Sequence, residues 1–294
     1  MLLLPKFEYH EPQNIDDACL LLHQLKPDGK IIAGGTDVLV NLKTGKITPK
    51  ALISIARLSG LSGIEQQGSK IWIGSQTIVS DLAENKLIRN KYPILSKAAS
   101  TLGSPLIRNR ATIGGNIVTA RPAADLIPPL IALGATFELK CEEGTREVLL
   151  EEFLVGPGQT MIRENEILTR VILGEMPLLT GGDYIKLGHR KALEIAIVAV
   201  ASIIILNQSK TIIQDAKVIL SAVAPKAIHA VSAEQALRGE KPTRKLFEFA
   251  ASRASEDCKP ISDIRGGGEY RKEMVKVLTK RTLVNAFEEA NRLK

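Results

Sequence analysis

A chain of 294 residues with 45% hydrophobic and 24% charged residues holds enough apolar material for about two domains with substantial cores. Its net charge of +7 is spread over scattered lysines and arginines with only 4% aromatic residues, which excludes a base-stacking nucleic-acid surface and fits a solvated exterior. Three separated cysteines (Cys19, Cys141, Cys258) and four dispersed histidines exclude zinc or iron–sulfur ligand spacing.

The opening Met1-Leu-Leu-Leu-Pro5 is too short for a signal-peptide core. The longest apolar run, Ile195 to Leu206, falls short of the roughly 20 residues needed to span a bilayer. These features predict a cytoplasmic chain with no membrane span. The densest basic cluster (Arg271, Lys272, Lys276, Lys280, Arg281) alternates with Met274, Val277 and Leu278, the pattern of an amphipathic helix with one wet face.

Taken along the chain, Asn14 can cap a helix over 14–25, whose Ile15, Ala18, Cys19, Leu22 and Leu25 share a face. A strand over 30–33 runs into Gly34-Gly35-Thr36-Asp37, followed by a helical stretch and a strand over 51–55. A hairpin turning at Gln67-Gly68 joins 64–65 to 70–74. Helices are expected over 80–86 and 93–102, the second stopped by Gly103. Residues 104–116 read as a loop, and 124–133 as a helix opened by Asp125. Strands are expected over 136–141, 146–149 and 167–173.

Beyond Pro177 the texture changes. Three long strands (184–189, 195–206, 216–223) precede three helices (232–237, 244–255, 270–290). Strands followed by helices predict an α+β layer with helices on one face. A domain boundary is therefore placed near 174–182.

Two segments carry the chemistry, Ala33-Gly-Gly-Thr-Asp37 and Thr112-Ile-Gly-Gly-Asn116. Glycine permits positive φ and a close backbone approach, so successive N–H groups can converge on one anion. Thr36, Thr112 and Asn116 add side-chain donors. At this level a pair of phosphate-gripping loops and a pair of tight turns are equally good readings. Neither the Walker nor the Rossmann fingerprint fits: Val40 stands where a P-loop ending in Gly45-Lys46 needs glycine, and Met161 where a fingerprint starting at Gly156-Pro-Gly158 needs its third. Asp125 would repel phosphate, but it can accept hydrogen bonds from ribose or ribityl hydroxyls as well as cap its helix.

Ala33-Gly-Gly-Thr-Asp37 followed by Ile107-Arg-Asn-Arg-Ala-Thr-Ile-Gly-Gly-Asn116 resembles the FAD-binding subunits of molybdenum hydroxylases, the medium subunits of aerobic carbon monoxide dehydrogenase and bacterial xanthine dehydrogenase among them. The resemblance extends through Pro122-Ala-Ala-Asp125, Glu166-Ile-Leu168, Tyr184-Ile-Lys186 and Gly268-Glu-Tyr-Arg271, nearly the whole chain. It implies an α+β fold: a two-lobed FAD domain of the vanillyl-alcohol oxidase and MurB type over 1–176 (lobes about 1–56 and 57–176), then an α+β domain of the carbon monoxide dehydrogenase flavoprotein type over 177–294.

The resemblance also implies residue roles. Ile31, Ile32, Ala33, Gly34, Gly35, Thr36, Asp37 and Val38 would line the FAD diphosphate together with Thr112, Ile113, Gly114, Gly115 and Asn116. Thr119 and Asp125 would lie along the ribityl and adenosine portion, Leu168 and Lys186 close to the cofactor, and Ile195 against the isoalloxazine. On their own, Leu168 and Ile195 read as core residues and Lys186 as a solvated one.

The implied partners are a large subunit holding the molybdenum cofactor and a small subunit holding two [2Fe-2S] clusters, in a heterohexamer (a dimer of heterotrimers). Electrons would leave to NAD, a quinone or oxygen. This chain would bind no metal and supply no catalytic acid–base pair; His189 reads as structural. A stand-alone flavin oxidoreductase of the same fold would turn over an organic substrate by itself. A cofactor-less scaffold would have no use for both glycine pairs.

Overall fold

The computed structural model describes residues 4–190 and 192–293. Three larger sheets follow one another along the chain, with a two-stranded pair (154–156 with 159–160) beside the second, and the junctions between the larger ones position the site.

The first is small and parallel. β1 (Glu8–His10), α1 (Ile15–Gln24), β2 (Gly29–Ile32), α2 (Val38–Lys43) and β3 (Ala51–Ser54) place β3 centrally, in the order β1-β3-β2. Parallel neighbours need crossovers, which α1 and α2 provide. Asn14 caps α1 as expected, accepting from the Asp17 amide at 2.9 Å. Ala18, Cys19 and Leu22 then bury against Ile53 and Ile55.

The second layer runs through β4 (Ile64–Gln67), β5 (Lys70–Gly74), α3 (Val79–Glu84), α4 (Lys86–Lys91), α5 (Pro93–Thr101), α6 (Pro105–Arg108), α7 (Ile113–Val118), α8 (Ile127–Ala132), β6 (Thr136–Cys141), β7 (Gly144–Leu149), α9 (Leu150–Phe153), β8 (Leu154–Gly156), β9 (Gln159–Thr160) and β10 (Ile167–Leu173). The main sheet is antiparallel, in the order β4-β5-β10-β6-β7. Its inner face packs on the helices through Ile71, Ile73, Phe137, Leu139 and Val171.

Three sequence expectations change here. The helix expected over 80–86 is two helices, because Asn85 accepts from the Leu87 and Ile88 amides and starts α4. The loop expected over 104–116 contains α6 and the start of α7, each capped by a hydroxyl, Ser104 and Thr112. Asp125 caps nothing: α8 starts at Ile127, with prolines in its first turn where no N–H is needed.

The third layer comprises β11 (Thr180–Leu187), β12 (Val198–Leu206), β13 (Ile213–Ser221), β14 (Ile228–His229), α10 (Val231–Leu237), α11 (Arg244–Asp257) and α12 (Gly268–Arg292). Its antiparallel sheet runs in the order β11-β12-β13-β14. Val198, Val200, Ile204 and Leu206 of β12 face the helices, while Ala199, Ala201 and Ile203 face the second layer. Burial on both faces explains why this strand reads as a continuous apolar run. The small Ala199 and Ala201 let α8 pack across β12. β12 begins later than expected, at Val198, which leaves Ile195 in a surface loop at 58% exposure.

Polar contacts bolt the third layer to the second. Pro122 O accepts from the Ala222 amide (2.9 Å) and from Ser221 Oγ (2.8 Å). Lys226 donates to Leu154 O at 2.7 Å. His229 sits between Glu234 (2.7 Å) and Glu151 of the second layer (3.4 Å).

The hydrogen bond to Glu234 raises the His229 pKa above 6.5. Protonation therefore favours the folded chain. The contribution is full below pH 6.5 and is lost as pH rises through the raised value. His229→Asn is expected to lower the melting temperature at pH 6 and to have little effect at pH 9; an equal effect at both would rule the titration out.

Candidate cofactor site

The first glycine loop connects β2 to α2. Gly35 takes a φ of +77°, which turns the chain between strand and helix at little steric cost. Gly34 lies directly on the Arg110 carbonyl, where any Cβ would overlap it. This glycine thus lets the first loop touch the approach to the second. Arg121 adds a second tie, with Nε 3.0 Å and Nη2 2.9 Å from Asp37 Oδ1.

Among the described residues, the backbone N–H groups of Gly34, Gly35, Thr36, Asp37 and Val38 donate to no protein acceptor. Five successive open donors at a turn into a helix are groups that can hold an anion without any lysine. They are only partly buried, so an anion can reach them.

The second loop is built differently. The Ile113 amide donates to Thr77 O (3.0 Å), Gly114 to Ser75 O (2.9 Å) and Asn116 to Thr112 O (3.0 Å). Gly115 donates to its own cap, Thr112 Oγ1, at 3.1 Å. The amides of 113–116 are thus consumed by the protein. What remains on offer is side-chain chemistry. The Thr112 hydroxyl keeps its proton to donate, and Asn116 accepts from the Leu126 amide through Oδ1 (3.3 Å), leaving its NH2 group.

Gly114 is glycine for packing, since a Cβ would stand 2.8 Å from Ser75 Cβ. The buried Ser75 hydroxyl against it has no partner among the described residues. At Gly115 a Cβ would meet Thr112 Oγ1 at 3.0 Å. Gly115→Val is therefore expected to break the Thr112 cap, costing about 1 kcal/mol of stability, and to release FAD from a chain that still folds. Thermal melting and bound-flavin stoichiometry check this, and a folded variant with full FAD would exclude it.

Thr119 donates to Gly115 O at 2.6 Å. Asp125 follows in the turn that leads into α8, and its side chain is 8% exposed. It is held from β11: Lys186 Nζ lies 2.8 Å from Oδ2 and Tyr184 Oη 3.0 Å from Oδ1. Lys186 also reaches Thr101 O at 3.3 Å, and its side chain is only 7% exposed. Burial pushes the Asp125 carboxyl above its ordinary range, while the Lys186 charge and the two hydrogen bonds pull it back.

The structure thus brings the two glycine loops together, and separately joins Asp125 to Lys186. Ile31 and Ala33 pack on the first-layer core. Leu168 sits beside a bulge in β10, in the same core as Ile113 and Ile117. Ile195 lies in the loop whose Leu193 amide donates to Gly103 O (2.9 Å).

Sequence reasoning missed Arg121, Ser75 and Tyr184. Arg121 directly precedes the segment 122–125 and Tyr184 opens the segment 184–186, but a side chain's neighbour across a fold leaves no local signal. A cleft of about 260 Å³ opens among Ile94, Leu133, Met176 and Ile203 and contains none of the predicted residues. Among the described residues, no group of three or more His, Cys, Asp or Glu could hold a metal ion, and no helix is long and apolar enough to cross a membrane.

The family model of the FAD binding domain in molybdopterin dehydrogenase matches residues 5–175, and that of the CO dehydrogenase flavoprotein C-terminal domain matches 183–286. The carbon monoxide dehydrogenase medium chain of Hydrogenophaga pseudoflava is 33% identical over 96% of this chain and 98% of its own. The glyceraldehyde dehydrogenase medium chain of Sulfolobus acidocaldarius is 32% identical over 97% of this chain and 98% of its own. Among solved structures, carbon monoxide dehydrogenase from H. pseudoflava superposes with a TM-score of 0.93 at 33% identity, over 98% of this chain and 99% of that one. Quinoline 2-oxidoreductase from Pseudomonas putida reaches 0.92 at 26% identity, over 98% and 99%.

Proposed function

The chain belongs to the FAD-binding medium-subunit family of molybdopterin-dependent dehydrogenases, and from that membership we propose that it is the electron-transferring link of a cytoplasmic complex. It takes electrons from [2Fe-2S] clusters on a small partner subunit and passes them to an external acceptor of the NAD, quinone or oxygen class. A large partner subunit with the molybdenum cofactor acts on the organic substrate. Its relatives are medium chains and FAD-binding subunits of dehydrogenases, which supports this reading.

The observation that carries it is the row of open amides from Gly34 to Val38, which fits a diphosphate. These N–H groups hold the two phosphates, and the Thr112 hydroxyl and Asn116 amide close over them from the second loop. Ile31, Ile32 and Ala33 form the apolar approach, while Ile113, Gly114 and Gly115 keep α7 near enough for its side chains to reach. Thr119 and Asp125 orient the ribityl and adenosine portion. Leu168 and Lys186 lie close to the cofactor, and Ile195 covers the ring.

FAD, when bound, accepts electrons singly and can release them as a pair. The protein's part is to bind the cofactor, orient it and limit water around it. Residues 1–176 constitute the cofactor domain, in lobes of about 1–56 and 57–176, and 177–294 the domain that closes on it.

The test is a visible spectrum of the purified chain, with chromatography of the cofactor released by heat. A flavin spectrum and released FAD are expected. A chain that remains colourless after incubation with FAD would overturn the reading.

A further inference from the structure

Asp125 and the residues that hold it come from different layers. Asp125 follows α7 in the second layer; Tyr184 and Lys186 lie two apart on β11, so both project from the same face of that strand. Tyr184 is fully buried, and its phenol is spent on one acceptor, Asp125 Oδ1 at 3.0 Å. Lys186 occupies the other oxygen. With both oxygens engaged from one rigid strand, the carboxylate cannot rotate, and its remaining lone pairs point in fixed directions.

The strand position just before Tyr184 shows the opposite use. Asp183 faces away and pairs with Lys97 of α5 and Asn285 of α12. β11 is thereby pinned on both faces, which makes it a firm support for the carboxylate.

We propose that Tyr184 is a positioning residue of the cofactor site, fixing the Asp125 carboxylate from across the layer junction so that it presents an oriented acceptor to the FAD hydroxyls. This rests on the assignment of Asp125 to the FAD site. Burial holds the Tyr184 phenol well above its ordinary range, so it stays a donor at physiological pH. The charged and titratable groups facing Asp125 are Lys186 and Tyr184, both from β11. α5 supplies the Thr101 carbonyl to Lys186, and Glu194 is drawn to Lys186 at longer range.

Tyr184→Phe keeps the ring and removes one donor to the carboxylate. The full-length chain, its variants and a thermal-melting control would be titrated with FAD from pH 5 to 8, following flavin fluorescence. The expected result is roughly tenfold weaker FAD binding at pH 7. The acid limb of the affinity profile should move to higher pH, because a carboxylate that loses a donor protonates more readily. In an Asp125→Ala background, where no side-chain acceptor is left for the phenol, Tyr184→Phe should change neither the affinity profile nor its pH dependence.

A Tyr184→Phe chain with wild-type affinity and pH profile would overturn the inference. So would a weakening of the same size, independent of pH, in both backgrounds, which marks a merely structural role. A wild-type chain that binds no FAD would sink the site assignment and this inference together.

Discussion

Replacing Gly34 with alanine is expected to abolish FAD retention and to lower the melting temperature of the chain by roughly 5–10 °C. The added Cβ would occupy the space of the Arg110 carbonyl. The obstacle is backbone, so no side-chain rotation can relieve it, and the first loop must move away from residues 110–111. Overpacking commonly costs about 1–3 kcal/mol, and a backbone obstacle belongs at the upper end of that range.

Because the loop carries the open amides, moving it scatters the donors proposed to hold the diphosphate. Gly174→Ala is the matched control. A Cβ there meets nothing within 4 Å, and the Tyr92 bond to Gly174 uses the carbonyl, which survives. Melting curves and bound-flavin stoichiometry for both variants provide the check. A Gly34→Ala chain that melts like wild type with full FAD would refute the close-approach argument.

Lys186→Met is expected to be the more damaging change at neutral pH. It leaves the Asp125 carboxylate buried with only Tyr184 as partner. Breaking one side of a buried ion pair typically costs about 3–5 kcal/mol, because the remaining charge is uncompensated. The pH dependence has a definite sign. Burial already raises Asp125, and Lys186 opposes that; without the lysine the carboxyl rises further. A carboxyl raised on folding favours the folded state when protonated. Its contribution is present at low pH and is lost as pH rises through the folded value. The variant should therefore melt far below wild type at pH 8 and closer to it at pH 5. Asp125→Asn in the same chain should recover much of the loss. A deficit that does not change with pH would show that Lys186 acts through packing alone.

Both changes strike junctions between layers, and this follows from how the site is assembled. The first loop leaves a parallel sheet, the second begins a helix of the next layer, and the Asp125 partners stand on the edge strand of the third. No single layer contains the site. Contacts such as Gly34 on Arg110 and Tyr184 on Asp125 therefore tie layers together and, in the proposed site, hold its geometry as well.

Much of the architecture was legible locally. Asn14 and Gly103 mark helix ends through short-range capping and turn chemistry. The alternation in 70–74 and the apolar run in 198–206 reflect the faces that each strand buries. The two glycine motifs are contiguous, so their identity and spacing could be read directly, and the cofactor followed from the family resemblance that they carry.

Other features depended on the tertiary fold. The glycine loops look equivalent in composition, yet one keeps its amides open while the other spends them on Thr77, Ser75 and its own cap. The strand-like pairing of 78 with 112 sets Thr77 and Ser75 against the second loop. Asp125 precedes a helix and reads as its cap, but it is claimed by a lysine 61 residues away. Ile195 extends an apolar run and reads as strand, but β12 begins at Val198 and leaves it exposed. Periodicity, caps and turns act over a few residues and are written in the neighbouring sequence. The partner of a buried polar group is chosen by how distant layers meet, because burial makes an unpaired group costly and the nearest complementary group satisfies it whatever its place in the chain.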